Sequence, residues 1–344
     1  MGAERGENMG ESSEQSFSHR LFLLLANVRE MGIVLVILIL IPLIGLRNPN
    51  FLTASNFRDI LLDISILSIV AMGQMMVIVT ASIDLSVGST IGLVAMIIGM
   101  MIRDNPSFPP GLAVLLGTVL GLLLGSINGI IVTKGRVPPI ITTLGTLSIY
   151  RGLVLVVSGG EWIDAYRLPP SFLQITRTPI LGIPALIWYA LIIAVIFYYF
   201  LRFTRTGRQI YAVGSNPPAA RLAGIRANRI VLLVFLISGT LAGLGGVLWA
   251  SRFAAVANDT GTGFELQTVA ACVIGGVNIF GGSGSVPGVL LGSLLLGIIV
   301  NALTLTGISP FWRLTVQGLI IILAVVADAL IGRRLEAVQA RRAA

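Results

Sequence analysis

Charge is the scarcest commodity in this chain: only 11% of its 344 residues are Asp, Glu, Lys or Arg, where a soluble domain carries roughly a quarter. So few charges cannot clothe a water-soluble globule of this size, and lipid must be the solvent for most of the chain. Cys272 is the only cysteine and His19 the only histidine. An internal disulfide framework is therefore excluded, and little remains from which to build a zinc site or a catalytic dyad. Lysine also occurs once, as Lys134 behind Thr133, so the Gly-Lys-Ser/Thr core of a phosphate-cradling loop is missing. The run Gly281-Gly282-Ser283-Gly284-Ser285 is not such a loop, and Pro287 occupies the third glycine position of a dinucleotide pattern. It reads as a tight turn or a re-entrant bend. No cofactor is expected, and nucleotide energy would have to be harvested by a separate chain. No cleavable leader is expected either, because residues 1–16 are acidic rather than basic.

What the chain has in abundance is apolar surface and glycine: 55% hydrophobic residues and 40 glycines. Small residues let membrane helices approach backbone to backbone, which matters where leaving lipid brings no hydrophobic gain. A bilayer core needs about 20 apolar residues per helix. By that measure the spans fall near 31–46, 58–80, 88–102, 111–133, 138–158, 183–202, 229–250, 267–281, 286–306 and 312–331. The fold class is all-α, a polytopic membrane helical bundle of about ten spans. The first, third and eighth are short, and read as untilted or as broken helices that stop inside protein.

The net charge of +8 does not point to nucleic acid, because the basic residues sit between apolar runs and set topology. With the N-terminus in the cytoplasm, fifteen Lys and Arg fall inside and seven outside, with Arg151 left within a span. The even number of spans returns the C-terminus to the cytoplasm. The resulting organisation is a tail over 1–30, a transmembrane domain over 31–332 interrupted by a cytoplasmic loop at 203–228, and a second tail over 333–344. Within the first tail, 17–28 reads as an interfacial helix or as a frayed lead-in to the first span. The outer loop 159–182 carries Trp162 and Tyr166, which suit an interfacial belt or a docking surface. Gly125, Gly135 and Pro138 recur 172 residues later as Gly297, Gly307 and Pro310, with opposite direction across the membrane. That is the pattern of an inverted internal repeat.

The loop 203–228 breaks in composition from everything around it. Asn216 is a good N-cap, Pro217 suits the first helical position, and Gly224 can take the left-handed conformation that ends a helix. These mark a helix over 217–223, too short to stand alone in water. Ala219 and Ala220 offer a small face, flanked by Arg221 and Arg226. A cytoplasmic motor could grip such a helix. Equally, it could lie on the bilayer with its arginines facing anionic lipid.

This segment resembles the coupling loop of ATP-binding-cassette importer permeases, whose motif is Glu-Ala-Ala, three residues, then Gly. Ala219, Ala220 and Gly224 match in spacing, while Pro218 stands at the glutamate position. Ser82-Ile83-Asp84-Leu85-Ser86-Val87-Gly88-Ser89 resembles the signature after the second span of ribose-type monosaccharide permeases. Thr260-Gly261-Thr262-Gly263-Phe264-Glu265-Leu266, continuing through Gly275-Gly276 to Gly281-Gly282-Ser283-Gly284, resembles their second signature. The stretch Thr143-Leu144-Gly145-Thr146-Leu147 with Tyr150-Arg151-Gly152, then Gly159-Gly160-Glu161-Trp162-Ile163, is similar to the rhamnose and autoinducer-2 branch. The resemblance implies a non-enzymatic inner-membrane permease importing a pentose, a deoxyhexose such as rhamnose, or an autoinducer-2-like sugar. The implied partners are cytoplasmic ATPase subunits, a periplasmic or lipid-anchored sugar-binding protein, and a second permease chain, identical or not. Coupling to the ATPase would then rest on Gly214, Asn216, Ala219, Ala220, Arg221 and Gly224.

Asp84, with Ser86 and Gly88, forms the structural signature, and the expected role of Asp84 is to cap a helix start together with Ser82, Ser86 and Ser89. A sugar path needs neutral donors and acceptors, for which Gln74, Asn128, Thr142, Thr143, Thr146 and Asn301 are the candidates. Such residues also tie membrane helices together. Asp63 and Asp328 lie in apolar runs, where Arg58 could pair with one of them. An ion-gradient-driven transporter or channel for a small polar solute is the competing class. It would need no capped cytoplasmic helix, and would be expected to use mid-membrane charge pairs.

Overall fold

A computed structural model describes residues 30–307, together with single helical positions between 312 and 326. Twelve helices are defined in that range, which we label α1 Glu30–Arg47, α2 Ala54–Val79, α3 Val87–Asp104, α4 Pro110–Thr133, α5 Pro139–Ser158, α6 Pro170–Arg177, α7 Ala185–Phe203, α8 Arg205–Ser215, α9 Pro217–Leu222, α10 Ala227–Phe253, α11 Phe264–Ile274 and α12 Val286–Leu305. The only sheet among the described residues is a two-residue hairpin, β1 Pro179–Ile180 with β2 Ile183–Pro184, turned through Leu181 and Gly182 at positive φ.

Eight of these helices (α1–α5, α7, α10 and α12) are long and apolar enough to cross a membrane. The chain is a polytopic helical bundle. The expected tenth span, 312–331, lies largely outside the described residues, as do the interfacial segment 17–28, Asp328, Pro310 and the basic C-terminal tail. The eighth expected span, 267–281, takes the broken-helix form: the chain there has only α11, 11 residues long. At about 1.5 Å per residue it covers roughly half of a bilayer core. It stops because Gly276 takes φ +86 and the Val277 amide turns back to the Cys272 carbonyl at 2.9 Å, while Gly275 packs on the Gly288 backbone of α12.

Burial sorts the helices. The apolar window of α2 is 94% buried, whereas those of α1 and α7 are 17% buried, so α2 is core and the other two present their side chains outward. α10 lies beside α2, and α3 and α4 pack on α10 while α11 and α12 pack on α2. The α4–α10 seam is built on glycine: a Cβ on Gly121 or Gly125 would strike the backbone of Gly239, and one on Gly243 the backbone of Gly117 and Gly121. Dispersion between closely apposed backbones is what holds such a seam in lipid.

Two connections dip into the bundle instead of skirting it. The segment after α10 runs beside α3, with a Cβ on Gly99 meeting Val256, one on Gly92 meeting Thr260, and one on Gly88 meeting Gly261. Its upper part is held to the outer loop by paired backbone bonds between Ile163 and Val256. The α2–α3 linker, 80–86, is the second. Irregular backbone at such depth is tolerated only when protein groups satisfy it.

The loop 203–228 holds more structure than expected, since α8 precedes the short helix. Thr204 caps α8 by accepting from the Gly207 amide. Arg205, Arg208 and Gln209 had hidden it from a search for apolar runs.

Candidate functional site

The α2–α3 linker is held from three sides. Asp84 is buried, and its Oδ1 accepts from the Ser86 amide at 3.0 Å and the Ser86 hydroxyl at 2.6 Å. Its Oδ2 accepts from the Ser238 hydroxyl of α10 at 3.1 Å. Asn128 of α4 donates to the Ser86 hydroxyl at 2.7 Å, and Thr143 of α5 donates to the Ile83 carbonyl at 3.2 Å. The expected helix cap is therefore corrected. Ser86, the cap residue of α3, makes no side-chain cap bond, and Asp84 closes a turn two residues long while cross-linking to α10. Ser89 turns its hydroxyl back to the Ser86 carbonyl, and the Ser82 amide bonds back to the Val77 carbonyl at the end of α2. A carboxyl group with three hydrogen-bond partners is a satisfied buried polar group, which suits a structural joint.

Beside this linker the two signature stretches meet, although they lie more than 170 residues apart. Gly261 has φ +76, and Gly88 and Gly261 touch backbone to backbone. Arg151 of α5 donates to the Thr260 carbonyl at 2.6 Å. Glu265, at the start of α11, accepts from the Gly263 amide at 3.2 Å through Oε1, while its buried Oε2, next to Gly88, has no hydrogen-bond partner. Arg151 and Glu265 were not among the expected site residues. The signal that could have found them was an arginine alone in an apolar span.

The neutral candidates divide into three groups. Thr143 and Thr146 are buried and bonded, chiefly to carbonyls of their own helix. Gln74, Asn128 and Thr142 are buried with capacity to spare: both amide atoms of Gln74, Oδ1 of Asn128 and Oγ1 of Thr142 have no partner. Asn128, Thr142, Thr143 and Thr146 are buried on α4 and α5, and Asn128 and Thr143 bond to the Asp84 linker. Asn301 is elsewhere. Its amide exchanges two bonds with Asn56 at 3.0 and 2.9 Å, and nearby Asn48 donates to Leu305, so it ties α12 to α2 at the far end of the bundle. Asp63 is contacted by Arg252 of α10 at 3.4 Å.

At the α8–α9 end the short helix forms as expected, ending at Leu222. Asn216 accepts from the Ala219 amide at 3.0 Å, Pro217 opens the helix, and Gly224 has φ +78 while the Ile225 amide bonds back to Ala220. The small face is split, however. Ala220 is buried in the core, while Ala219 and Arg221 point outward and Leu222 is 91% exposed. Gly214, on the buried side of α8, sits where three segments converge. A Cβ there would strike the Val79 carbonyl at the end of α2 and the Gly282 amide, and that amide donates to the same carbonyl at 2.9 Å. Tyr211 donates to the Gly284 carbonyl at 2.9 Å, and burial pushes its phenol up to about 12, so it remains a donor. The glycine run 281–285 is thus a turn docked under α8, with Ser285 capping α12. Among the described residues no cluster of His, Cys, Asp and Glu could hold a metal.

Residues 56–325 match the family described as "Branched-chain amino acid transport system / permease component". Similar curated proteins include the autoinducer 2 import system permease protein LsrC of Salmonella typhi, of Escherichia coli (strain K12 / DH10B) and of Shigella flexneri. Each is 36% identical over 302 residues, covering 88% of this chain and 86–87% of the relative. No solved structure matches the chain.

Proposed function

The chain belongs to the family of branched-chain amino acid transport system permease components, and from that membership we propose that it is the membrane path of an ATP-driven importer for a monosaccharide-like solute. Autoinducer 2 and related small sugars head the substrate class, because the named relatives are autoinducer 2 import permeases. The observation that carries the sugar reading is the set of buried, uncharged, unpartnered atoms on Gln74, Asn128 and Thr142. An unmet donor or acceptor costs about 1–3 kcal/mol, and a polyol hydroxyl can satisfy either kind.

In this reading the α8–α9 end faces the cytoplasm with both termini, consistent with the excess of arginine there. Separate ATPase subunits grip α9 through Ala219 and the protruding Leu222. Motion passes through α8 to Gly214, the end of α2 and the Asp84 linker. A binding protein delivers substrate at the opposite end, near Trp162 and Tyr166, and a second permease chain, identical or not, completes the path. The recurrence of helices supports an inverted repeat: Ala227 opens α10 173 residues after Ala54 opens α2, and α4 packs on α10 as α12 packs on α2.

The competing reading, gradient-driven transport by this chain alone, draws on Arg151 and Glu265. Against it, the short contact of Arg151 is to a carbonyl, and Arg103 and Arg252, which form ion pairs, stand in the last turns of α3 and α10. Proteoliposomes decide between them. Uptake should require the ATPase subunits and stop with vanadate, and Gly224→Pro should abolish it while membrane insertion persists, because proline cannot take φ +78. Uptake by the chain alone under an ion gradient would overturn the proposal.

A further inference from the structure

The arginines at the two ends of the bundle are treated differently. At the α6 end, Arg103 pairs with Asp104 at 2.7 Å and Glu161 at 2.9 Å, and Arg252 with Asp63. At the α8–α9 end, the connecting segments 134–138 and 202–229 contain eight basic residues and not one acid. Three of them, Arg136, Arg221 and Arg226, line a cavity of about 680 Å³ between the α4–α5 turn and the α9–α10 turn. None of the three makes an ion pair among the described residues. Arg136 holds φ +56, a left-handed conformation that costs a non-glycine residue about 1 kcal/mol or more and accumulates at ligand clamps.

Two helix starts open into the same cavity. Pro138 and Pro139 at the head of α5, and Ala227 and Asn228 at the head of α10, are among its walls. Neither helix has a side-chain cap at its N-terminus. Long helices of 20 and 27 residues thus direct their positive dipole ends at a space already ringed by guanidinium groups, although Pro138 and Pro139 carry no N–H and the Ala227 amide is bonded to the Ile225 carbonyl. Such a space is matched to a phosphate. The two helices that meet at it carry exposed apolar side chains: Leu123, Ile127 and Ile130 on the last turns of α4, and Ile140, Ile141 and Leu144 on the first turns of α5.

From the cavity, its three unpaired arginines, the uncapped helix starts and the exposed apolar side chains of α4 and α5, we infer that this is a binding site for the headgroup of an anionic phospholipid. The phosphodiester lies among Arg136, Arg221 and Arg226, with acyl chains along α4 and α5. Because Arg221 belongs to α9 and Arg226 leads into α10, the bound lipid braces the short helix against the bundle. The inference rests on membrane embedding and not on the identity of the transported solute. The two halves of the loop are thereby distinguished: Ala219 and Leu222 face a protein, while the arginines face lipid.

The test is equilibrium lipid binding to the full-length chain in detergent, read by native mass spectrometry with phosphatidylglycerol against phosphatidylcholine. Each basic residue near an anionic surface contributes enough for a severalfold preference, so the wild type should favour phosphatidylglycerol about tenfold or more. Arg136→Gln/Arg226→Gln should bring the ratio within about twofold, while Arg202→Gln/Arg208→Gln, outside the cavity, should leave it unchanged. Circular dichroism checks that each variant is folded, and Arg136→Gly, which suits φ +56, replaces the double variant if that one is not. Equal binding of both lipids by the wild type, or an undiminished preference in the folded variants, overturns the inference. Displacement of the lipid by millimolar inorganic phosphate would also overturn it, in favour of a free-anion site. Lost ATPase co-purification with unchanged lipid preference would mark the cavity as a protein dock and overturn it too.

Discussion

The Gly214 joint and the polar interior beside the Asp84 linker are built on opposite principles. At the joint, α8, the end of α2 and the glycine turn 281–285 meet backbone to backbone, and the polar groups named there are bonded: Gly282 to Val79 and Tyr211 to Gly284. In the interior, Gln74, Asn128 and Thr142 keep atoms without partners. Close, satisfied packing cannot deform without cost, so displacement at one side of the joint appears at the other. Unsatisfied polar groups are costly at rest and become favourable when a ligand supplies the missing bonds. The first region is suited to transmit motion and the second to bind, and Asp84 with its bonds to Ser86 and Ser238 joins them.

Each side of that comparison can be broken separately. The largest effect is expected at the link. Asp84→Ala would leave the Ser86 amide and hydroxyl and the Ser238 hydroxyl without their acceptor, at about 1–3 kcal/mol apiece, so thermal unfolding should move down sharply and uptake should vanish. Next comes the joint. A Cβ on Gly214 collides with backbone rather than with a movable side chain, so Gly214→Ala should cost about 1–3 kcal/mol and uncouple ATP hydrolysis from uptake in the reconstituted complex. The smallest effect on the fold, and the most discriminating, belongs to the interior. Gln74→Met and Thr142→Val remove groups that bond nothing, so stability should stay level or rise by about 1 kcal/mol while half-saturation of uptake moves up about tenfold. A loss of stability with unchanged half-saturation would reassign these residues to helix packing.

Most of the helices were visible in the sequence because each apolar run is a local signal, and the short helix α9 was visible because Asn216, Pro217 and Gly224 each act on their own backbone. What escaped depends on partners distant in the chain. Asn301 is one of six similar polar residues in sequence, and only the structure shows that its amide is bonded to Asn56. Ala219 and Ala220 are alike until the bundle buries one of them. α8 was missed because its charged residues mask a buried side of Gly207, Ile210, Val213 and Gly214. α11 is shorter than its apolar run because Gly276 takes φ +86 and turns the chain. The approach of Gly88 to Gly261 could not be read from spacing, although both motifs could.

The claim beneath all of this is that a separate motor moves α9. Cys272 is the only cysteine in the chain and is buried, so Ala219→Cys places one reactive thiol on the outward side of that helix. In vesicles containing the complete importer, a short bifunctional cross-linker at this thiol should capture an ATPase subunit, with a yield that changes on adding ATP. If uptake proceeds at its normal rate and no ATPase subunit is captured in any nucleotide state, α9 is not the coupling element and the account fails.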